Sequence, residues 1–232
     1  MSVSSCIALL GGSFDPVHHG HVALARLFCA LLRPDELRVL PAKPWQKAAL
    51  KASDAARVAM LELAFRDIGD TGLPVVIDQR ELLRGSPTYT VETLRGLRAE
   101  CGPDASLVFL MGADQLQNLD SWRDWEQLFE LANIAVAARP GYALKQDALP
   151  PAVAQQLAPR LAPPEHVRTT PAGLVCLAYS LAVDISATQV RATLHGSLRG
   201  AGDPGADDAA YLKTLVPPVV LDYIQQHNLY KS

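Results

Sequence analysis

The apolar run Cys6-Ile7-Ala8-Leu9-Leu10 passes without a break into Gly11-Gly12-Ser13-Phe14-Asp15-Pro16-Val17-His18-His19-Gly20-His21. A short run with no polar position reads as a strand buried on both faces, and such strands belong to parallel sheets covered by helices. The paired glycines end the strand in a tight turn, and a helix opened by Pro16 is expected to follow. That arrangement aims free backbone amides and the positive end of a helix dipole at whatever anion docks there. Three of the six histidines of the chain fall within this segment. His18 and His21, three residues apart, share one face of the expected helix and read as working donors, whereas His19 points elsewhere. A metal site would need further ligands, and apart from Asp15 no cysteine or acidic residue stands at ligand spacing. No metal ligand is therefore assigned to the protein.

Working outward, apolar β-prone runs recur at Leu37 to Leu40, Pro74 to Ile77, Leu107 to Met111, Ile134 to Ala138 and Leu174 to Tyr179. Between the first two strands, Leu24, Leu27, Phe28 and Leu31 repeat at helical spacing before Pro34, which is how a β-α-β crossover reads. Further helices are expected after Ser53, where Val58, Leu61 and Phe65 are apolar, and over Thr90 to Glu100, Ser121 to Leu131 and Val219 to His227. The sum is an α/β fold, a Rossmann-like doubly wound parallel sheet with a short C-terminal helical region. In such sheets ligands bind beyond the carboxyl ends of the strands, where the glycine and histidine segment falls. Two segments, Leu149 to Pro164 with its five prolines and the Gly- and Asp-rich Gly196 to Asp208, read as surface loops or insertions.

A chain of 232 residues, 49% hydrophobic and 19% charged, is long enough for one substantial core. One domain over 1–232 is expected, with 185–232 as a helical subregion within it. The formal net charge is −3 and the pI near 6.1, so attraction for phosphate must come from a local pocket, and nucleic acid is not expected as a partner. Cys6, Cys29, Cys101 and Cys176 are scattered through apolar surroundings without a C-x-x-C pair, which points to free thiols in a reducing, cytoplasmic setting. No run approaches the roughly 18 apolar residues of a membrane span, so no membrane partner is expected. The sequence leaves the oligomeric state open, a homodimer being one option.

A second cluster follows the last strong apolar run: Asp184-Ile185-Ser186-Ala187-Thr188-Gln189-Val190-Arg191. Ser186 or Thr188 could cap a helix with Arg191 one turn inside it. Hydroxyls, helix amides and a guanidinium at one helix end make a second anion clamp, able to hold the far end of a polyphosphate whose near end lies against His18 and His21.

Gly-Gly-Ser-Phe-Asp-Pro, then His-x-Gly-His, and later Ile-Ser-x-Thr-x-x-Arg together resemble the HxGH nucleotidyltransferase superfamily. Ser86 to Leu94, Gly112-Ala113-Asp114, Trp122 with Trp125, Arg139-Pro140-Gly141 and the ending Tyr223-Ile224 to Leu229-Tyr230 narrow the resemblance to bacterial nicotinate-nucleotide adenylyltransferases. The likeness runs nearly end to end. It implies transfer of AMP from ATP to nicotinate mononucleotide, giving nicotinate adenine dinucleotide and pyrophosphate, with Mg²⁺ carried mainly on the ATP phosphates. By the same resemblance His18 and His21 contact the ATP phosphates, His21 nearest the reacting phosphorus, and Gly11, Gly12, Ser13 and Phe14 supply the cradle. Gly112 and Asp114 match the ribose-contacting segment. Ile185, Ser186, Thr188 and Arg191 match adenine and phosphate contacts, Lys47 a phosphate contact, and Thr90, Trp122 and Arg123 the nicotinate half. Trp125 reads as core.

The chain departs from the family pattern in three places. Gln46 stands where a histidine usually precedes the basic residue, Ser13 replaces a threonine, and Ala187 replaces a serine, so the last position has lost a hydroxyl. The rival classes are an adenylyltransferase acting on nicotinamide mononucleotide or phosphopantetheine, a ligase of the aminoacyl-tRNA synthetase type, and a non-catalytic nucleotide sensor. The Tyr89-Thr90 and Trp122 segments argue against phosphopantetheine, and the short length without a basic anticodon-binding region argues against the ligase. A sensor is expected to lose the histidine pair or Arg191, and all are present.

Overall fold

Cys6–Gly12 forms β1, so the strand takes in both glycines before the chain turns. A computed structural model describes residues 5–43, 50–86, 88–138, 149–179, 181, 183, 185–199 and 206–230. The remaining strands are β2 (Glu36–Pro41), β3 (Val75–Ile77), β4 (Ser106–Gly112), β5 (Asn133–Ala137) and β6 (Val175–Ala178). They form one six-stranded sheet in the order β3-β2-β1-β4-β5-β6, with every pairing parallel. All six expected strands are present within one or two residues of their expected limits.

The helices are α1 (His19–Leu32), α2 (Asp54–Gly69), α3 (Arg80–Leu83), α4 (Thr90–Cys101), α5 (Ala113–Leu116), α6 (Leu128–Leu131), α7 (Pro151–Leu157), α8 (Pro164–Thr169), α9 (Ala187–Arg199), α10 (Ala206–Leu215) and α11 (Pro218–Gln226). They cover both faces of the sheet, as the alternation of side chains along each strand requires. Ala8, Leu10, Val108 and Leu110 face one way, against Phe28 of α1, Leu61 and Phe65 of α2, Val190 of α9, Leu212 of α10 and Ile224 of α11. Ile7, Leu9, Leu107 and Phe109 face the other, against Leu94 and Leu97 of α4, Phe129 of α6 and Val153 of α7. Burial of each large side chain stabilises the fold by about 1.5–3 kcal/mol. At the start of β5 the buried Asn133 donates to the Thr170 carbonyl (2.6 Å) and accepts from Leu174 N (2.9 Å), which ties this inner strand to the segment joining α8 to β6.

Three expectations are corrected. Pro16 does not open α1, because His18 is still extended (φ −144°, ψ 170°) and serves as the N-cap of a helix that starts at His19. The helix expected over Ser121 to Leu131 is broken into 3-10 turns at Leu119–Ser121 and Trp125–Gln127 and the single-turn α6. Trp122 is extended there (ψ 143°) and Asp124 is left-handed (φ 50°), which interrupts the hydrogen-bond ladder. The proline-rich 149–164 segment is not a loop, since Pro151 and Pro164 occupy the first position of α7 and α8, where the missing N–H costs nothing. Its Leu149, Val153 and Leu157, and Val167 just beyond in α8, are buried. Of the Gly196 to Asp208 stretch, α9 covers the beginning and α10 the end, while 200–205 lie outside the described residues. No helix among the described residues is long and apolar enough to cross a membrane.

Candidate active site

The strand order reverses between β1 and β4, and the crevice at their carboxyl ends is where a parallel sheet leaves room for a ligand. A cavity of about 660 Å³ opens there. Its lining includes Gly11, Gly12, Ser13 and Phe14 after β1, His18 and His21 at the start of α1, Gly112 and Asp114 after β4, Trp122, and Ile185, Ser186, Thr188 and Arg191 around the start of α9. The two clamps inferred from separate motifs therefore share one cleft. Both α1 and α9 bring their N-termini to it, so two helix dipoles favour negative charge at the same place.

Within the first clamp, the His18 and His21 rings stack at 3.7 Å between centroids with 27° between planes, and the Phe14 ring meets His21 edge-on at 4.9 Å. The His18 main-chain N–H donates to His21 Nδ1 at 3.2 Å. A neutral imidazole whose Nδ1 accepts must carry its proton on Nε2, so His21 is held as an Nε2–H donor. His19 turns away, its Nε2 lying 3.2 Å from the Lys213 carbonyl of α10.

In the second clamp, Ser186 Oγ accepts from Gln189 N at 3.2 Å and caps α9. Arg191 reaches back across the cleft. Its Nη1 donates to the Asp15 carbonyl at 2.6 Å, and its Nη2 to Thr188 Oγ1 at 3.2 Å. Asp114 is exposed at the start of α5, its Oδ2 accepting from Gln115 Nε2 at 3.1 Å. Trp122 is half-buried and stands edge-on to Phe109 at 6.2 Å.

Other expected residues fall elsewhere. Thr90 opens α4 and is not part of the cavity lining. Arg123 is outside it too, stacked 4.7 Å over the Tyr89 ring with Nη1 3.8 Å from Glu92 Oε1. Trp125 packs against the core beside Phe129, as expected. Lys47 and the Arg139-Pro140-Gly141 segment lie outside the described residues.

Three residues to which the sequence reading gave no role in the site support the first clamp. Arg57, fully buried on α2, donates through Nη1 to the Ser13 and Ala42 carbonyls (2.7 and 3.0 Å) and through Nη2 to Asp54 (2.8 Å). Its signal was a cation at 57 in register with the apolar positions 61, 64 and 68 of α2, where only a buried role fits. Asp15, 3% exposed, accepts from Lys51 N (2.8 Å), Ala52 N (3.0 Å) and the Tyr230 hydroxyl (2.7 Å). Asp15 and Tyr230 both stand in the quoted motifs, but nothing local signals their contact, because they lie 215 positions apart in the chain. Among the described residues no group of three or more His, Cys, Asp or Glu side chains is disposed to hold a metal ion.

A parallel sheet of this order, with two helix N-termini, a histidine pair and an arginine facing one cleft, defines an α/β protein with a ligand crevice at its strand reversal, and residues 9–193 match the cytidylyltransferase-like family model. A Herminiimonas arsenicoxydans protein named as a probable nicotinate-nucleotide adenylyltransferase is 54% identical over 232 residues, covering 100% of this chain and 99% of that one. A protein of the same name from Laribacter hongkongensis is 45% identical, over 97% of this chain and 94% of its own. The chain belongs to the cytidylyltransferase-like family and, within it, to the nicotinate-nucleotide adenylyltransferases. The fold is shared with Plasmodium falciparum nicotinic acid mononucleotide adenylyltransferase in complex with NaAD, at a TM-score of 0.71, 18% identity and 97% coverage of both chains.

Proposed function

We propose that this enzyme transfers AMP from ATP to nicotinate mononucleotide, forming nicotinate adenine dinucleotide and pyrophosphate. The observation that carries the reading is the meeting of the stacked His18–His21 pair and Arg191 in one cleft between two helix N-termini. The relatives named for this activity, matched along their whole length, support the choice of acceptor.

The nucleophile is a phosphate monoester oxygen, already ionised near neutral pH, so no general base is needed. A bond forms from that oxygen to the α-phosphorus of ATP as the bond to the bridging oxygen of pyrophosphate breaks, and the leaving group takes the electron pair. What the protein supplies is alignment and charge stabilisation. His21 offers Nε2–H at the reacting phosphate, and the glycine turn with Ser13 and Phe14 cradles the near end of the triphosphate. Arg191, Thr188 and the capped start of α9 hold the far end, while Asp114 and Ile185 meet the nucleoside. Trp122 offers an indole face or edge to the pyridine ring. Thr90 and Arg123, grouped around Tyr89 outside the cavity, serve the nicotinate half only if the acceptor reaches beyond Trp122. Among the described residues no carboxylate cage lines the cleft, which suits Mg²⁺ that arrives on the ATP phosphates; when bound, the ion would neutralise the charge of the departing pyrophosphate. Free thiols at all four cysteines fit a cytoplasmic setting.

The test supplies ATP and Mg²⁺ with nicotinate mononucleotide, nicotinamide mononucleotide or phosphopantetheine in parallel and follows pyrophosphate release. Turnover is expected with the first. Turnover with another acceptor and none with nicotinate mononucleotide would overturn the assignment.

A further inference from the structure

The last described residue, Tyr230, packs in the core behind the turn that follows β1. After α11 the chain bends back through Asn228 (φ 53°), the left-handed residue usual at a helix end with Leu229 N bonded to the Ile224 carbonyl, and through Tyr230 (φ 63°), where a left-handed conformation is uncommon for a bulky side chain. The bend inserts the Tyr230 ring into the core, 8% exposed, and brings its hydroxyl to Asp15 Oδ1, a partner 215 positions away in sequence. Burial and the bond to Asp15 hold that hydroxyl far above the ordinary phenol range, so it is a donor at every working pH.

Asp15 then joins the tail to the far clamp. Its side chain is fixed by the Tyr230 hydroxyl and by the amides of Lys51 and Ala52, and its main-chain carbonyl is the acceptor for Arg191 Nη1. If the ring were only an apolar plug, phenylalanine would serve as well and would avoid burying a hydroxyl.

We propose that Tyr230 is a positioning residue for the reaction: by fixing the Asp15 carboxylate it sets the carbonyl that orients the Arg191 guanidinium, so the tail of the chain determines the geometry of the clamp. The proposal rests on the cleft holding a triphosphate, as argued above, and is indifferent to the acceptor.

In the full chain, Tyr230→Phe should lower kcat/KM for ATP about tenfold, the order of loss expected when a charge-bearing contact is misplaced by a fraction of an ångström. KM for the acceptor should stay at the parent value. Made in an Arg191→Ala background, the same change should cost less than about twofold, because the group it positions is gone. Asp15→Asn, which sets an amide NH2 against one of the main-chain N–H donors, should show the same dependence on background at equal or larger size. Ile224→Val loosens the neighbouring apolar contact of the tail without touching the hydroxyl, and should lower Tm slightly while leaving kcat/KM unchanged. The proposal is overturned by parent-like kcat/KM in Tyr230→Phe, by equal losses in both backgrounds, or by an Ile224→Val loss as large as that of Tyr230→Phe. Should the parent enzyme turn over none of the acceptors, the adenylyl-transfer reading fails separately. The Kd for ATP, measured by calorimetry in the same variants, then decides the positioning role by the same pattern.

Discussion

Replacing Arg57 by methionine should cost about 2–4 kcal/mol of folding stability, most of it from two main-chain carbonyls left without a donor. Methionine replaces the aliphatic stem but not the buried guanidinium head, so a small cavity adds to the loss of the hydrogen bonds. The Asp54 partner is 43% exposed in its side chain and can turn to water, so its contact weighs little. The Ser13 and Ala42 carbonyls cannot be edited away, and both depend on Nη1 at 2.7 and 3.0 Å. Leaving each unsatisfied costs about 1–3 kcal/mol, and relief of a buried cation offsets the upper end of the sum. For a chain of this size the loss corresponds to a Tm lower by about 5–15 °C, read by thermal melts and checked by guanidinium titration. Arg57→Lys should recover less than half of it, since an ammonium has no rigid fork to span two carbonyls. Because the same carbonyls shape the turn after β1, the methionine variant should also lose turnover at temperatures where it is fully folded. A methionine variant that melts within about 2 °C of the parent would refute the claim that this guanidinium holds the turn.

The remaining predictions concern the site and its surroundings. His21→Ala should lower kcat about 10²–10³-fold with a native circular dichroism spectrum, as loss of one preorganised donor does; full activity would remove His21 from the chemistry. Gly20→Ala would place a methyl 3.0 Å from His18 Cε1 and Nδ1 and 3.4 Å from the Ile185 carbonyl, so kcat should fall at least about tenfold. Tm in that variant should hold or rise, helix propensity gaining up to about 1 kcal/mol; unchanged kcat would show that the His18 ring can give way freely. Trp122→Ala should raise KM for nicotinate mononucleotide about tenfold and leave KM for ATP nearly unchanged, and the opposite pattern would place the indole on the wrong substrate. Burial pushes the Cys29 thiol from 9.0 up to about 11, so the folded state keeps its proton where the unfolded chain loses it. The resulting stability is intact below pH 9 and declines as pH rises towards 11; Cys29→Ala should make that decline shallower in pH-dependent melts, and an unaltered slope would contradict it.

The sheet could be read from the sequence because its strands are buried on both faces, and continuous apolar runs such as Leu107 to Met111 admit few other structures. Helices α1, α2, α4 and α11 were readable for a related reason, their apolar spacing being bounded by Pro34, Ser53, Thr90 and the Pro217-Pro218 pair. Where signals were ambiguous, tertiary context decided. Proline counts as a breaker inside a helix and as a starter at its first position, and only the burial of Val153 and Val167 shows which applied between 149 and 169. The apolar positions from Trp122 to Leu131 suit a helix, yet Asp124 is left-handed, and that choice exposes no pattern in the sequence. The candidate site divides in the same way. Both clamps are contiguous motifs whose chemistry is carried by neighbours in the chain, so each could be named in advance. What holds the clamps together is the set of contacts from Arg57 to Ser13, Arg191 to Asp15 and Tyr230 to Asp15, all made across long separations that no local spacing encodes.

An acidic residue inside a turn that collects phosphate should weaken the site, since a carboxylate repels the ligand the helix mouths attract. Asp15 escapes this because both of its oxygens are occupied as acceptors, Oδ2 by Lys51 N and Oδ1 by Ala52 N and the Tyr230 hydroxyl. Its charge is thereby directed into the protein, where it organises three chain segments, and only its neutral carbonyl is offered towards Arg191. The chain as a whole carries a net charge of −3, so the attraction for a triphosphate is created locally, by two helix N-termini and one guanidinium. On the proposed reading, a ligand long enough to touch both clamps at once gains from both, and Asp15, bonded to Arg191 and to Tyr230, is the residue that links them.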